Sequence, residues 1–273
     1  MLLFLHFIFF ILLHIMTGTE HAAAPRLLWS DEFDYRGAPD KRRWTNDLGD
    51  GCPKVCGWGN GELQYYTKSI QNVRLKDHKL IIEARQQQRK NSRFTSARLK
   101  TQGLAAWQFG YIEVRAKLPA GRGTWPAIWM LPENFNHDSL PDGEIDIMEH
   151  VGHDPGVVHG TLHYAGENLQ SGGSIHVPDF DTSFHRYGIN WTADKIEYYL
   201  DGELYHVFEN NIQAGTNPFH QRYYLLLNVA VGGGWGGREG IDPAVWPQRL
   251  EIDYVRVYEP LVTAAQKQYM FGK

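Results

Sequence analysis

A chain of 273 residues with 42% hydrophobic content and 28 glycines is long enough for one large domain with a sizeable core, and nothing in it demands a second. Its net charge of −4, with no block of lysines and arginines, excludes the electrostatic footprint of a nucleic-acid binder or a lipid-surface protein. A neutral polymer as partner asks for neither.

In chain order, Met1 to Met16 is almost wholly apolar and leads into the small-residue stretch Thr17 to Ala24. This is the pattern of a signal peptide, although no Lys or Arg stands near Met1. An apolar run of about 16 residues falls short of the roughly 20 that span a bilayer, so cleavage near Ala23 or Ala24 is expected rather than an uncleaved anchor. Residues 1–24 are assigned to the leader and 25–273 to one exported domain, secreted or periplasmic and free of the membrane after cleavage. Export bears on the only two cysteines. Cys52 and Cys56 lie in a Gly/Pro-rich loop and are expected to close a small disulfide ring beside Trp58, since a structural zinc site would need a second pair of ligands.

From Leu27 onward, short apolar-alternating segments separated by turn residues read as strands: Leu80 to Ala84, Tyr111 to Lys117, His185 to Thr192, Lys195 to Leu200, Tyr223 to Val231 and Leu250 to Tyr258. Asp201-Gly202, between two β-prone runs, marks a tight hairpin. No sustained helical period follows the leader, and there is no internal repeat or linker. The reading is all-β, with two antiparallel sheets packed as a jelly-roll sandwich and one sheet curved into a cleft.

The most informative segment is Gly143 to His150, which reads Gly-Glu-Ile-Asp-Ile-Met-Glu-His. Carboxylates in an apolar, β-prone run are costly to bury, so they point to chemistry. In a regular strand Glu144 and Asp146 share a face and Glu149 is out of phase. One extra residue, a β-bulge at Ile147-Met148, turns Glu149 onto the same face. Two such acids are what glycoside hydrolysis requires, one to attack the anomeric carbon and one to protonate the leaving oxygen, while a third between them steadies its neighbours. A solvated acidic edge or a calcium site is the plainer alternative.

Trp125 to Met130 upstream and His159 to Tyr164 downstream read as strands flanking the acidic one, which makes Trp125, Trp129, His163 and Tyr164 candidate cleft walls. Aromatic faces suit the C–H surface of a pyranose. Glu149-His150, His153, His159 and His163 offer zinc ligands, but without the helical HExxH spacing.

The ExDxxE run resembles the glycoside hydrolase family 16 pattern, specifically that of its laminarinase-like endo-1,3-β-glucanases. The segments WPAIWMLP, VHGTLHY, WSDEFD, WGNGELQYYT, FTSARLKT, FGYIEVRAKLP, LNVAVGGGWGG and EIDYVRVY extend the likeness over nearly the whole mature chain. The resemblance implies a concanavalin A-like sandwich with Glu144 as nucleophile, Glu149 as acid/base and Asp146 as helper, retaining anomeric configuration. It implies carboxyl groups about 5 to 5.5 Å apart. It further implies that Asn60, Glu62, Arg98, Asn228 and Trp235 line the cleft and contact sugar, beside the walls Trp125 and Trp129 and a binding role for His163. No catalytic cofactor is implied. A structural calcium on the convex side is, with Glu32 and Asp253 matching two positions and His78 standing where relatives often carry Gly. The expected partner is a 1,3-β-glucan cleaved by a monomer. Mixed-linkage glucan, a marine galactan and a non-catalytic glucan-recognition module are the alternatives, and the intact acids argue against the last.

Overall fold

The computed structural model describes residues 24–135, 143–164, 169–212 and 217–272. The expected leader lies outside them except for Ala24. Among the described residues no helix is long and apolar enough to cross a membrane.

The strands in chain order are β1 (Leu27–Asp31), β2 (Thr45–Asp47), β3 (Gln64–Tyr66), β4 (Val73–Lys76), β5 (Lys79–Arg89), β6 (Ser92–Ser96), β7 (Arg98–Lys100), β8 (Gly110–Lys117), β9 (Thr124–Pro132), β10 (Glu144–His150), β11 (Val157–Tyr164), β12 (Leu169–His176), β13 (His185–Trp191), β14 (Lys195–Leu200), β15 (Glu203–Glu209), β16 (Tyr223–Val231) and β17 (Gln248–Tyr258). They form a jelly-roll sandwich. A ten-stranded sheet runs β15-β14-β13-β8-β17-β5-β6-β3 with β1 and β4 attached, and a seven-stranded sheet runs β12-β11-β10-β9-β16-β7-β2. Pairing is antiparallel, as expected, except that β3 runs parallel to β6.

The core fills the space between the sheets. Ile145, Met148, Leu162 and Leu227 from the smaller sheet meet Ile112, Val114, Ile189 and Val255 from the larger, all fully buried in one cluster. Alternation along each strand leaves the other face of the seven-stranded sheet for the polar side chains. The expected hairpin forms at Asp201-Gly202, where both residues take positive φ, 50° and 86°.

Two further features depart from the reading. A short helix, α1 (Ala264–Phe271), follows the last strand. Two turns are too few to show an amphipathic period, but Thr263 and Gln266 form a capping box that the sequence does carry. The second is the β4–β5 turn, where Asp77 and His78 sit at φ 52° and 55°. His78 thus adopts the left-handed backbone that glycine favours, and the loss of Gly there does not break the hairpin.

Candidate active site

β10 carries the three acids, and its ladders explain how. Against β11, Asp146 faces Thr161 but Glu149 faces His159, so Ile147 and Met148 together oppose Gly160 alone. Against β9, Asp146 faces Trp129 and Met148 faces Ile128, the same one-residue shift. Ile145, Ile147 and Met148 all point into the core. Glu144, Asp146 and Glu149 consequently line one cleft with Trp58, Asn60, Glu62, Arg98, Trp125, Trp129 and Asn228. Gly160 is needed opposite the bulge, because a Cβ there would meet the Tyr198 ring at 2.4 Å and the Tyr205 hydroxyl at 2.5 Å.

The acids are buried and crowded. Burial, then the charges of Asp146 and Glu149, hold the Glu144 carboxyl well above the usual carboxylate range. Burial first and the Glu149 charge second push Asp146 up, with a contact from Glu144 opposing. Glu149 is raised by burial, partly offset by the Trp125 indole, whose Nε1 donates to Glu149 Oε1 at 2.9 Å. Across the ladder from Glu144, His163 places Nε2 3.1 Å from Asp146 Oδ2. The cleft therefore keeps protons at a pH where isolated carboxyls have lost them.

The remaining residues divide into those that face the cleft and those that build it. Arg98, on β7, sits with its guanidinium 4.9 Å from the Trp58 ring and 4.7 Å from the Trp129 ring, and pairs with Asp47 at 3.0 Å. Trp129 Nε1 donates to Asn228 Oδ1 at 2.7 Å, and Asn228 Nδ2 donates to the Tyr66 hydroxyl at 3.2 Å. That hydroxyl donates onward to Glu62 Oε2, which also accepts from Gln64. Asn60 Nδ2 reaches Glu62 Oε1 at 3.2 Å. Trp235 meets Trp125 edge to face at 5.5 Å and lies against the His159 ring at 5.0 Å. Gly236 lets this loop pass over Trp125, whose own Cβ a side chain would meet at 2.8 Å. Beyond the acids the cleft continues along His159, Thr161, His163 and Gln170.

Trp58, Gln64, Tyr66, His159, Thr161 and Gln170 were not among the expected sugar contacts. Trp58 has positive φ, 54°, in a turn behind the Cys52–Cys56 disulfide, which the structure contains as expected. Only its aromatic character in a Gly-rich loop signals it. Tyr164 is a correction. It packs on Phe208 and Phe219 in the core, because strict alternation from His163 turns it to the opposite face of β11.

The convex-side residues lie near one another by register. Ile252 pairs with Leu80 and Val255 with Asp31, so Asp253 falls between the end of β1 and the β4–β5 turn. The Glu32 carboxylate is turned to Arg256 at 2.7 Å and Asp253 Oδ2 to Arg115 at 2.5 Å. A calcium there would take the Glu32 and His78 carbonyls and the remaining Asp253 oxygen, a donor set of the right chemistry.

A jelly roll that gathers two glutamates and an aspartate in an aromatic cleft defines a glycoside hydrolase. The sequence signature of Glycosyl hydrolases family 16 matches residues 56–256, and the chain belongs to that family. A β-glucanase of Rhodothermus marinus is 50% identical over 260 residues, covering 89% of each chain. The solved laminarinase of Rhodothermus marinus superposes with a TM-score of 0.81 at 49% identity, covering 87% of this chain and 98% of that one. The endo-β-1,3-glucanase of Pyrococcus furiosus gives 0.78 at 40% identity, covering 87% and 95%.

Proposed function

We propose that the protein is an exported, monomeric endo-1,3-β-glucanase that cleaves laminarin-like polymers with retention of anomeric configuration. The carrying observation is the one-residue bulge of β10, which puts Glu144, Asp146 and Glu149 in one aromatic cleft. The linkage is supported by the relatives, whose names specify β-glucanase and laminarinase.

In the assigned roles Glu144 reacts as the carboxylate, the protons that the crowded cluster retains resting on Asp146 and Glu149; its oxygen attacks the anomeric carbon while Glu149 gives its proton to the glycosidic oxygen. The carbon–oxygen bond breaks and a glycosyl ester forms on Glu144. Glu149, now a carboxylate, takes a proton from water, which attacks the same carbon and frees Glu144. Burial suits Glu149 to this task because it keeps the carboxyl protonated toward neutral pH. Asp146, fully enclosed between the two, steadies Glu144, and the carboxyls supply nucleophile and proton without a cofactor. Arg98, Asn228 and Glu62 tie the aromatic walls together, so the sugar meets a preformed surface.

Reducing-sugar release from laminarin, lichenan and agarose, beside a Glu144→Gln control, tests the reading. Release from laminarin that the control abolishes is expected, whereas release from agarose alone would overturn the substrate. A structural calcium at Glu32, His78 and Asp253 belongs to the same reading, supported by their register. A chelator should then lower the melting temperature by about 5 °C, and an unchanged value removes the ion.

A further inference from the structure

We propose that Glu144, Asp146 and His163 form a binding site for a divalent transition-metal ion of the zinc or copper type, and that the bound ion blocks hydrolysis. One donor atom from each of the three residues lies within 4.8 Å of the other two, close enough to share one ion after a small adjustment. Asp146 Oδ2 and His163 Nε2 are 3.1 Å apart, a few tenths of an ångström inside the roughly 3.3 to 3.6 Å edge of a tetrahedral shell with bonds of about 2.0 to 2.2 Å.

A second observation points the same way. Asp146 is 2% exposed, and its Oδ2 is buried and accepts no hydrogen bond, although the His163 imidazole lies 3.1 Å away. An oxygen in that state is costly, and a cation between it and His163 would satisfy it. The His163 side chain is 46% exposed, so an ion enters from the cleft without opening the sandwich.

The donor set selects the ion. One imidazole and two carboxylates suit zinc or copper, whereas calcium prefers six to eight oxygens. The other histidines flagged along the acidic segment do not join this group: His150 is buried against Phe180, with ring centroids 4.5 Å apart. The blocking half of the proposal rests on Glu144 being the nucleophile. A carboxylate that coordinates an ion cannot also attack the anomeric carbon, so ion and glucan exclude each other.

Calorimetric titration of the purified enzyme with zinc chloride tests this, with cobalt absorption as an optical check and laminarin assays at rising zinc. The expected result is one ion per chain, affinity weakened about tenfold or more by His163→Ala and by Glu144→Gln, and an apparent KM that rises with zinc. Absence of binding, or binding unchanged in both variants, overturns the site. Binding that both variants lose, together with unaffected hydrolysis by the native enzyme, upholds the metal site, overturns the block and contradicts the role given to Glu144.

Discussion

The Trp125 indole donates to Glu149, and this contact tempers the dominant effect of burial on the proposed acid/base. A donor facing a carboxylate favours the charged form, so it opposes the upward push of burial. Trp125→Phe should remove that opposition and move the basic limb of the kcat/KM profile to higher pH. A limb that stays in place would detach Trp125 from Glu149. Glu149→Ala should reduce turnover on laminarin about 10²- to 10⁴-fold, and azide should restore part of it on an activated aryl glycoside by attacking the glycosyl ester. Unchanged turnover would reject the assignment. Glu144 illustrates the cost of the site. Its folded pKa lies above its unfolded one, so folding stability falls as pH rises through the ordinary carboxyl range toward the raised value, and stays lower beyond it. Glu144→Gln should therefore melt several degrees above the native enzyme at pH 7 and at nearly the same temperature near pH 4. Equal melting at both values would contradict the burial argument.

At the scale of the element, β10 does what a regular strand cannot. Ile147 and Met148 both enter the core, and the next side chain returns to the cleft. The bulge was legible because three acids in an apolar run leave one out of phase unless a residue is inserted. Its counterpart was not, since Gly160 offers no side chain from which to infer the Tyr198 and Tyr205 rings packed above it. Gly160→Ala should force those rings aside at a cost of about 1–3 kcal/mol, lowering the melting temperature by several degrees. Native-like melting in that variant would mean the strand tolerates a Cβ opposite the bulge. Tyr164 shows the limit of the same reasoning. Its neighbours in sequence line the cleft, yet the two-residue period sends it to the core, and aromatic type alone does not tell the faces apart.

Across the whole molecule, the two outer faces do different work. The cleft occupies the exposed face of the seven-stranded sheet, while α1 covers part of the ten-stranded one. Phe271 stacks on Tyr199 at 4.5 Å, and Lys267 holds the buried Glu197 at 2.7 Å. Removing residues 263–273 should lower the melting temperature by several degrees while kcat on laminarin at 25 °C stays within about twofold, because a core sheet separates helix from acids. A large loss of kcat in a folded truncation would contradict that separation. The sandwich itself was legible from the alternation in β8, the apolar run of β16 and the turn residues between strands. The parallel β3–β6 pair was not, because the partners are three- and five-residue strands whose pairing is decided by packing rather than pattern. Likewise the Trp129–Asn228–Tyr66–Glu62 chain joins three segments distant in sequence. The most direct test is peptide mass spectrometry after incubation with an activated 2-deoxy-2-fluoro laminaribioside, which traps the glycosyl ester. A single adduct on Glu144 is predicted; an adduct on Glu149 or Asp146, or none despite active enzyme, would contradict the roles assigned to the bulged strand.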